Sequence, residues 1–166
     1  MQLDIVIPCF NEEAVLREVH LRVKVILEEV REKKLIDGYN IIYVDDGSND
    51  GTFEILEKFS LKDKSVKALS LSRNFGHQAA LSAGLKFSKG DAVISLDADL
   101  QDPPDLIETM LQRFHEGFEI VYGVRDDRVQ DTFFKRTSAT CFYKLMLLEY
   151  KLYHIMQSID LFPDRF

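Results

Sequence analysis

The chain has 166 residues, of which 46% are hydrophobic and 30% are charged. A chain of this length and composition has enough apolar side chains to bury the core of one globular domain, which excludes intrinsic disorder. Its 28 acidic residues outnumber its 21 basic residues and give a formal net charge of -7. Because this charge repels a polyphosphate backbone, we expect no nucleic-acid partner.

Cysteine usage and hydropathy indicate the compartment. Cys9 and Cys141 lie far apart in a chain whose size does not require a disulfide, and no signal-peptide pattern opens the sequence. We therefore expect a reducing cytosol. No apolar run approaches the roughly 20 residues that a membrane-spanning helix needs, so we expect the chain not to cross a membrane.

Short β-branched runs alternate with segments of helical periodicity. The first run, residues 3–7, precedes apolar residues at the spacings of an amphipathic helix: Val15, Val19, Val23, Ile26, Leu27 and Val30. The pattern then predicts strands at 41–44, 66–71, 92–96 and 120–122, and helices near 52–59, 77–87 and 106–114. Five strands that alternate with helices require crossover connections. They predict an α/β fold with a mainly parallel sheet covered on both faces.

The loops that follow the predicted strands are the candidate functional segments, because ligands of open parallel sheets collect beyond the carboxyl ends of the strands. These loops are residues 8–12, 45–51, 72–76, 97–102 and 123–125. Their charged and amide side chains are therefore the first candidates for a binding site.

Asp97 and Asp99 form an Asp-x-Asp pair directly after the fourth predicted strand. With a rise of about 3.3 Å per residue, the two carboxylates lie about 6 to 7 Å apart, where one divalent cation can bridge them. Such hard oxygen ligands suit Mg²⁺ or Mn²⁺ bound together with substrate phosphates, and Gln101 can add an amide oxygen. The alternative is a solvated loop in which Asp102 caps the next helix.

Residues 46–51, with Glu57 at the twelfth position, match the oxygen-ligand pattern of an EF-hand calcium loop. An EF-hand loop follows a helix, whereas the run before this loop is β-branched and indicates a strand. We therefore interpret the segment as a ligand loop in which Asp50 caps the following helix. Asp45 or Asp46 can then accept hydrogen bonds from the N–H edge of a base.

Charged residues of the other loops have two interpretations each. Residues 11–13, Asn-Glu-Glu, open the first predicted helix, where the helix dipole favours acids even without a ligand. Arg73, Arg125 and Arg128 follow predicted strands, where arginines suit a diphosphate. Taken singly, an arginine at such a position is more often a solvated surface charge.

Other reactive residues give no catalytic pattern. Cys9 follows a proline at a strand end and is interpreted as a small buried side chain and not as a nucleophile. The four histidines show neither zinc-ligand spacing nor a triad arrangement. Walker-type and dinucleotide-type glycine spacings are not present in the sequence.

Four motifs, taken in order, resemble one known family. They are residues 6–13 (VIPCFNEE), 44–52 (VDDGSNDGT), 71–77 (LSRNFGH) and 97–104 (DADLQDPP). Together they resemble family 2 glycosyltransferases, and among these the polyprenyl-phosphate glycosyltransferases, such as dolichol-phosphate mannose synthases and bactoprenol glucosyltransferases. The resemblance covers residues 3–146. It implies a GT-A fold, which is a Rossmann-like, mainly parallel sheet with helices on both faces.

The resemblance also implies roles for individual residues. The base and ribose of a nucleotide sugar would lie near Pro8, Phe10, Glu12, Val44 and Asp46, and Arg73 would bind the same donor. Mg²⁺ or Mn²⁺ would be held against the diphosphate by Asp97, Asp99 and Gln101. Arg125 and Arg136 match basic positions that face the phosphates of donor and lipid acceptor. The catalytic residues would be Asp97, Asp99 and Arg125.

The activity that the resemblance implies is a metal-dependent transfer of a sugar from a UDP- or GDP-sugar to a polyprenyl-phosphate lipid. A lipid phosphate is already ionised, so its attack needs no strong general base, whereas a sugar hydroxyl needs one. Two alternatives stay open. One is a family 2 glycosyltransferase that acts on a saccharide hydroxyl in cell-surface polysaccharide synthesis. The other is a nucleotide-binding module without catalysis.

The resemblance divides the chain into a nucleotide-sugar-binding domain, residues 1–146, and a tail, residues 147–166, which would begin an acceptor-side or membrane-associated region. Four basic residues cluster shortly before this tail in an otherwise acidic chain: Arg125, Arg128, Lys135 and Arg136. With the aromatic segment 143–166, they predict a cytoplasmic protein held peripherally at the membrane face. The alternative is a tail that packs on the core or on a second copy of the chain.

Overall fold

Four strands alternate with four helices in the part of the chain that the computed structural model describes, residues 1–98 and 106–123. The elements are β1 (Gln2–Cys9), α1 (Leu16–Glu32), β2 (Gly38–Asp45), α2 (Thr52–Lys62), β3 (Val66–Ser70), α3 (His77–Phe87), β4 (Ala92–Ser95) and α4 (Leu106–His115). The predicted α/β alternation is confirmed, and α3 has the predicted bounds. Among these helices, none combines the length and the hydropathy needed to cross a membrane.

The strands form one parallel sheet in the order β3-β2-β1-β4. The chain places β2 and then β3 on one side of β1, and returns to place β4 on the other side. The strand order therefore reverses between β1 and β4. In open α/β sheets the crevice beyond the carboxyl ends at such a reversal is where ligands bind.

Alternate side chains of the sheet enter two separate cores. On one face, Leu3, Ile5 and Ile41 pack with residues of α1, α2 and α4. On the other face, Val6 and Ile42 pack with residues of α3. Right-handed crossovers that run in opposite directions across a sheet place their helices on opposite faces, and the crossover from β3 to β4 runs opposite to the two before it. The predicted covering of both faces is confirmed.

Pro8 ends the pairing between β1 and β4. The Val6 carbonyl faces β4 and accepts a hydrogen bond from Leu96 N–H at 3.0 Å, whereas the Cys9 carbonyl faces β2 and accepts from Asp46 N–H at 2.9 Å. Pro8 has the orientation of Val6 but lacks an N–H, and the β1–β4 register stops at Val6. The two strands therefore separate beyond this point, at the mouth of the crevice.

The predicted fifth strand is wrong. Residues 120–122 pair with none of the four strands that the structure describes. Gly117, at φ 99°, ends the turn after α4, and the side chains of Ile120 and Tyr122 are 83% and 76% exposed. Alternating apolar residues form a strand only where a neighbouring strand supplies hydrogen bonds and a face is buried. Within the described ranges, this segment has neither.

The start of α1 also differs from the prediction. Asn11 has a φ of +58°, in the left-handed region that Asn tolerates better than most residues. The Glu12 carbonyl then accepts hydrogen bonds from the N–H groups of Val15 and Leu16 at 3.1 and 3.0 Å. Residues 11–13 therefore form a turn before the helix and do not open it. This turn lets them contact the loop that follows β2.

Candidate functional site

The loops after β1 and β2 are joined by reciprocal hydrogen bonds. The backbone N–H of Asn11 donates to Ser48 Oγ at 2.9 Å, and the backbone N–H of Asn49 donates to Asn11 Oδ1 at 2.9 Å. At the next residue, Glu12 N–H donates to Thr52 Oγ1 at 2.8 Å. These bonds link residues nearly forty positions apart and hold two of the motif-bearing loops as one unit.

Glu13 and Asp50 extend this connection to the first turn of α2. Asp50 Oδ1 accepts from Thr52 N–H at 3.0 Å and its Oδ2 accepts from Glu13 N–H at 3.3 Å, while Glu13 Oε2 accepts from Gly51 N–H at 2.9 Å. Burial acts to raise the pKa of Asp50, but its hydrogen bonds outweigh burial and lower that pKa. The N-cap residue of α2 is Gly51, and the predicted cap by Asp50 holds only as its bond from Thr52 N–H, the first residue of the helix.

Asp45 and Asp46 are both buried, and both carboxylates bind neighbouring backbone or hydroxyl groups. Asp46 Oδ1 accepts from Phe75 N–H and its Oδ2 from Gly76 N–H, each at 2.8 Å. Asp45 accepts from the backbone N–H of Ser48, at 3.2 Å. Asp46 therefore fixes the loop after β3, a role that the sequence did not predict.

The loop after β3 lies directly against the loop after β2. A Cβ atom added at Gly47, whose φ is +67°, would lie 2.4 Å from the Arg73 carbonyl carbon, so only glycine permits this approach. The Arg73 guanidinium lies over the Phe75 ring, 4.2 Å from its centroid. Both side chains are exposed to solvent. This loop thus presents a stacked cation and aromatic ring on a fixed backbone.

Asp97 lies at the carboxyl end of β4, beside the first residue of α3. Its Oδ1 atom is 3.7 Å from His77 Nε2, and each of the two side chains is about half exposed. In the described ranges, His77 is the only basic residue with a side-chain nitrogen within 4 Å of this carboxylate. Asp97 therefore offers an accessible oxygen ligand at the reversal of strand order, as a Mg²⁺ or Mn²⁺ site requires.

Several predicted site residues lie outside the residues that the structure describes: Asp99, Gln101, Arg125 and Arg136. Within 1–98 and 106–123, no cluster of three or more His, Cys, Asp or Glu residues is found that can hold a metal. Asp97 fits one position of the predicted metal site by its chemistry and exposure, and the other ligands stay a prediction.

The residues predicted to line the base and ribose lie at the ends of β1 and β2. Pro8 and Val44 are neighbours in the β1–β2 register, and both are buried. Phe10, directly beyond β1, is 39% exposed. Glu12 follows in the turn that binds Thr52. The structure therefore gathers these residues at one edge of the sheet, and their contacts with a base stay a prediction.

Cys9 is a core residue, as predicted. Its side chain is 2% exposed and packs in the larger of the two cores. Burial, followed by the nearby charges of Glu12 and Asp45, raises the pKa of the thiol. A thiol that stays protonated at neutral pH is a poor nucleophile.

A polar cavity of about 310 Å³ lies at the opposite, amino-terminal edge of the sheet. Its wall includes Lys24, paired with Asp63, and Arg31, paired with Glu28. The Tyr39 hydroxyl donates to Glu28 at 2.6 Å. The charged side chains of this wall therefore already neutralise one another.

The comparisons with known proteins agree on one family. The profile of Glycosyl transferase family 2 matches residues 4–162. An uncharacterised glycosyltransferase, YkcC of Bacillus subtilis, is 44% identical over 146 residues, which are 88% of this chain and 44% of the relative. The bactoprenol glucosyl transferase of Shigella phage SfV is 39% identical over 147 residues, 87% of this chain and 46% of that protein. The chain thus spans less than half the length of these curated relatives.

A solved structure shows the same fold. It is the mannosyltransferase PcManGT from Pyrobaculum calidifontis in complex with GDP-Man and Mn²⁺, with a TM-score of 0.54 and 20% identity. The match covers 66% of this chain and 31% of that one. At this identity the likeness concerns the fold, which is that of a GT-A glycosyltransferase.

Proposed function

Because the chain belongs to glycosyl transferase family 2, shown by the match over residues 4–162, we propose that it transfers a sugar from a nucleotide-sugar donor to a polyprenyl-phosphate lipid. The observation that carries the proposal is the meeting of four motif-bearing loops at one edge of the sheet. Three of these loops are tied together by hydrogen bonds, and the fourth carries Asp97 beside the first residue of α3.

The donor half of the proposal is supported by the chemistry of this edge. Phe10 offers an exposed ring beyond β1, and Arg73 offers a cation on the fixed loop after β3. An aromatic ring suits a nucleobase, and an arginine fork suits a diphosphate. The relative of known structure binds GDP-Man, which supports the same class of donor here.

The acceptor half is supported by the Shigella phage relative, which is named a bactoprenol glucosyl transferase. A lipid phosphate enters such a site as an anion. It can attack the sugar without first losing a proton, so a strong general base is not required. Among the described residues of this edge, Asp46 is buried and bound to backbone N–H groups, whereas Asp97 is about half exposed.

The chain's residues would act mainly on charge. As the bond to the sugar breaks, negative charge develops on the leaving nucleoside diphosphate. Arg73 can stabilise this charge by donating hydrogen bonds from its N–H groups, and we propose the same for Arg125. Asp97, together with Asp99 and Gln101, would hold Mg²⁺ or Mn²⁺, which when bound neutralises the diphosphate.

The metal requirement is tested by calorimetry. Without a cation, Asp97 and Asp99 repel a nucleoside diphosphate, so we expect UDP or GDP to bind with Mn²⁺ and to bind far more weakly in EDTA. Asp97→Asn should weaken binding in Mn²⁺ but not in EDTA, where it removes one of the two repelling charges. Asp37→Asn, which removes a carboxylate at the amino-terminal edge, is the control. Equal affinities in Mn²⁺ and EDTA would remove the metal from the proposal.

The transfer itself is tested by incubating the protein and Mn²⁺ with labelled UDP-glucose or GDP-mannose and undecaprenyl phosphate. Formation of a labelled lipid supports the proposal. Labelling of a soluble saccharide but not of the lipid would retain a glycosyltransferase and reject the lipid acceptor. Nucleotide binding without transfer to either acceptor would favour a module that binds the donor only.

A further inference from the structure

The stacked pair of Arg73 and Phe75 is a feature that the proposed function has not used. Arg73 is expected to bind the donor, whereas Phe75 has no assigned role. We propose that Phe75 is a positioning residue, which holds the Arg73 guanidinium so that its N–H groups bind the diphosphate of the donor. This inference rests on the nucleotide-sugar function proposed above.

The backbone beneath this pair is fixed at successive residues. Asp46 accepts hydrogen bonds from Phe75 N–H and Gly76 N–H, each at 2.8 Å. Gly47 lies against the Arg73 backbone so closely that a Cβ atom would not fit. The loop therefore cannot shift easily to bring Arg73 to a ligand. The direction of the guanidinium must be set by its own side-chain contacts.

The contact that sets this direction is the Phe75 ring. The guanidinium carbon of Arg73 is 4.2 Å from the ring centroid. Within 1–98 and 106–123, Arg73 makes no ion pair with an acidic residue. A cation–π contact gives the guanidinium no oxygen acceptor, so its N–H groups stay available to donate to a phosphate. An arginine held in this way keeps its full capacity to bind a phosphate in a bidentate manner.

The course of the loop places the pair over the carboxyl ends of the strands. The chain leaves β3, which is an outermost strand of the described sheet, at Ser70. It enters α3 at His77, whose Nε2 lies 3.7 Å from Asp97 Oδ1. Asp97 follows β4, the outermost strand on the other side of the described sheet. Between these points, residues 71–76 pass the end of β2, where Asp46 and Gly47 contact them. The pair is therefore carried by the segment that borders the proposed donor site.

A different reading of the same ring is that Phe75 stacks on the nucleobase directly. The two readings differ in one measurable property. If Phe75 acts through Arg73, its removal matters only while Arg73 is present. If Phe75 binds the base, its removal weakens nucleotide binding whether or not Arg73 is present.

A double-mutant cycle on the full chain tests the inference, with UDP and GDP in Mn²⁺ as probes and calorimetry as the readout. We expect Phe75→Leu to weaken binding about two- to five-fold, the range of an exposed cation–π contact. In the Arg73→Met background, Phe75→Leu should have no further effect. Phe75→Tyr, which keeps an aromatic ring at this position, should bind with the affinity of the wild type. Phe87→Leu, which changes an exposed phenylalanine at the far end of α3, should leave it unchanged.

The outcomes separate this inference from the function on which it rests. Wild-type protein that binds neither UDP nor GDP would reject the proposed function. If the wild type binds but Phe75→Leu has the same effect in both backgrounds, the inference is overturned and the base-stacking reading replaces it. If Phe75→Leu has no effect in either background, the inference is also overturned, and the nucleotide-sugar function stands.

Discussion

Asp46 illustrates how a charged residue of a motif can serve the loop that carries it. The sequence places Asp46 at the end of a strand, where a carboxylate can accept hydrogen bonds from a base. In the structure both oxygens of this buried carboxylate accept from backbone N–H groups of residues 75 and 76. The sequence could not predict this, because the two N–H groups come from a segment about thirty positions later. Their nearness follows from the strand order.

Replacement of Asp46 tests this structural role. Asp46→Asn keeps the shape of the side chain but places an NH₂ group opposite one of the two N–H donors. We expect the free energy of unfolding to fall by about 1.5–3 kcal/mol, the range for a lost hydrogen bond to a buried charge. Urea unfolding followed by circular dichroism measures this. Glu57→Gln, an exposed change on α2, should lie within about 0.5 kcal/mol of the wild type.

His20 provides a second test at the scale of the residue, through pH. Its ring stacks on Phe59 with centroids 4.0 Å apart, and its Nδ1 lies 3.1 Å from the Tyr43 hydroxyl. Burial lowers the pKa of His20, and the nearby Lys24 adds to this effect. The folded protein therefore binds the His20 proton less readily than the unfolded chain does.

The sign of the pH dependence follows. Between the lowered pKa of His20 and the usual value of about 6.5, the unfolded chain binds a proton that the folded protein does not. We expect the free energy of unfolding to fall as the pH is lowered through this window, and His20→Gln to flatten the fall. An unchanged slope in His20→Gln would contradict the assignment to this residue.

Asp63 belongs to a separate and more acidic window. Hydrogen bonds from Lys24 and Ser65 lower the pKa of its carboxylate to about 2. Its contribution to stability is present above its unfolded pKa of 3.8 and is lost as the pH falls toward 2. Measurements above pH 5 therefore report on His20 with little influence from Asp63.

At the scale of the element, the end of α1 carries a conformation that its sequence does not favour. Lys34 has a φ of +60°. Its N–H donates to the Arg31 carbonyl at 2.9 Å, and Leu35 N–H donates to the Val30 carbonyl at 3.0 Å. These two bonds form a Schellman motif, in which the residue at this position is usually glycine.

Lys34→Gly should therefore stabilise the protein. The left-handed conformation costs an L-residue about 1–2 kcal/mol, and glycine adopts it freely but loses more backbone entropy on folding, about 0.5–1 kcal/mol. We expect a net gain of about 0.5–1 kcal/mol in the free energy of unfolding. Glu32→Gly, two residues earlier in helical conformation, should have the opposite sign. A loss of stability in Lys34→Gly would show that its side chain contributes more than its backbone costs.

Local patterns predicted most elements, but not those that depend on a partner far along the chain. The spacing of Val19, Val23 and Val30 predicted α1 because the face of a helix is encoded within a few turns. Ile120 and Tyr122 alternate like a strand, yet they stay exposed without a neighbouring strand in the described part of the chain. Acidic residues suit both a helix start and the turn that residues 11–13 form, and the contact of Asn11 with Ser48 decides between the two.

At the scale of the whole molecule, the strand order turns scattered motifs into one site. The motifs lie in four separate parts of the sequence, and each follows a strand. Because all four strands are parallel, their carboxyl ends meet at one edge. The reversal between β1 and β4, together with Pro8, which ends the pairing of these strands, leaves a crevice at that edge. The opposite edge holds the neutralised ion pairs of Lys24 and Arg31 and bears none of the motifs.

The proposal of a lipid acceptor implies that the protein works at a membrane surface. Basic residues near an anionic leaflet contribute about 1 kcal/mol each to binding. Residues of such a cluster, predicted from the sequence, are Arg125, Arg128, Lys135 and Arg136, which lie outside the described part of the chain. We expect the protein to float with liposomes that contain anionic lipid, less so at high salt, and not with neutral liposomes.

A pair of charge variants separates this cluster from net charge. Replacement of its four members by Gln should abolish flotation. Replacement of four exposed basic residues on α1 and α2 by Gln, namely Arg17, Arg22, Lys58 and Lys62, changes the net charge equally and should not. Equal loss in the two variants would mean that only the overall charge matters. Flotation that survives removal of the cluster would assign membrane binding to the aromatic segment 143–166. Binding through its apolar side chains would depend little on salt.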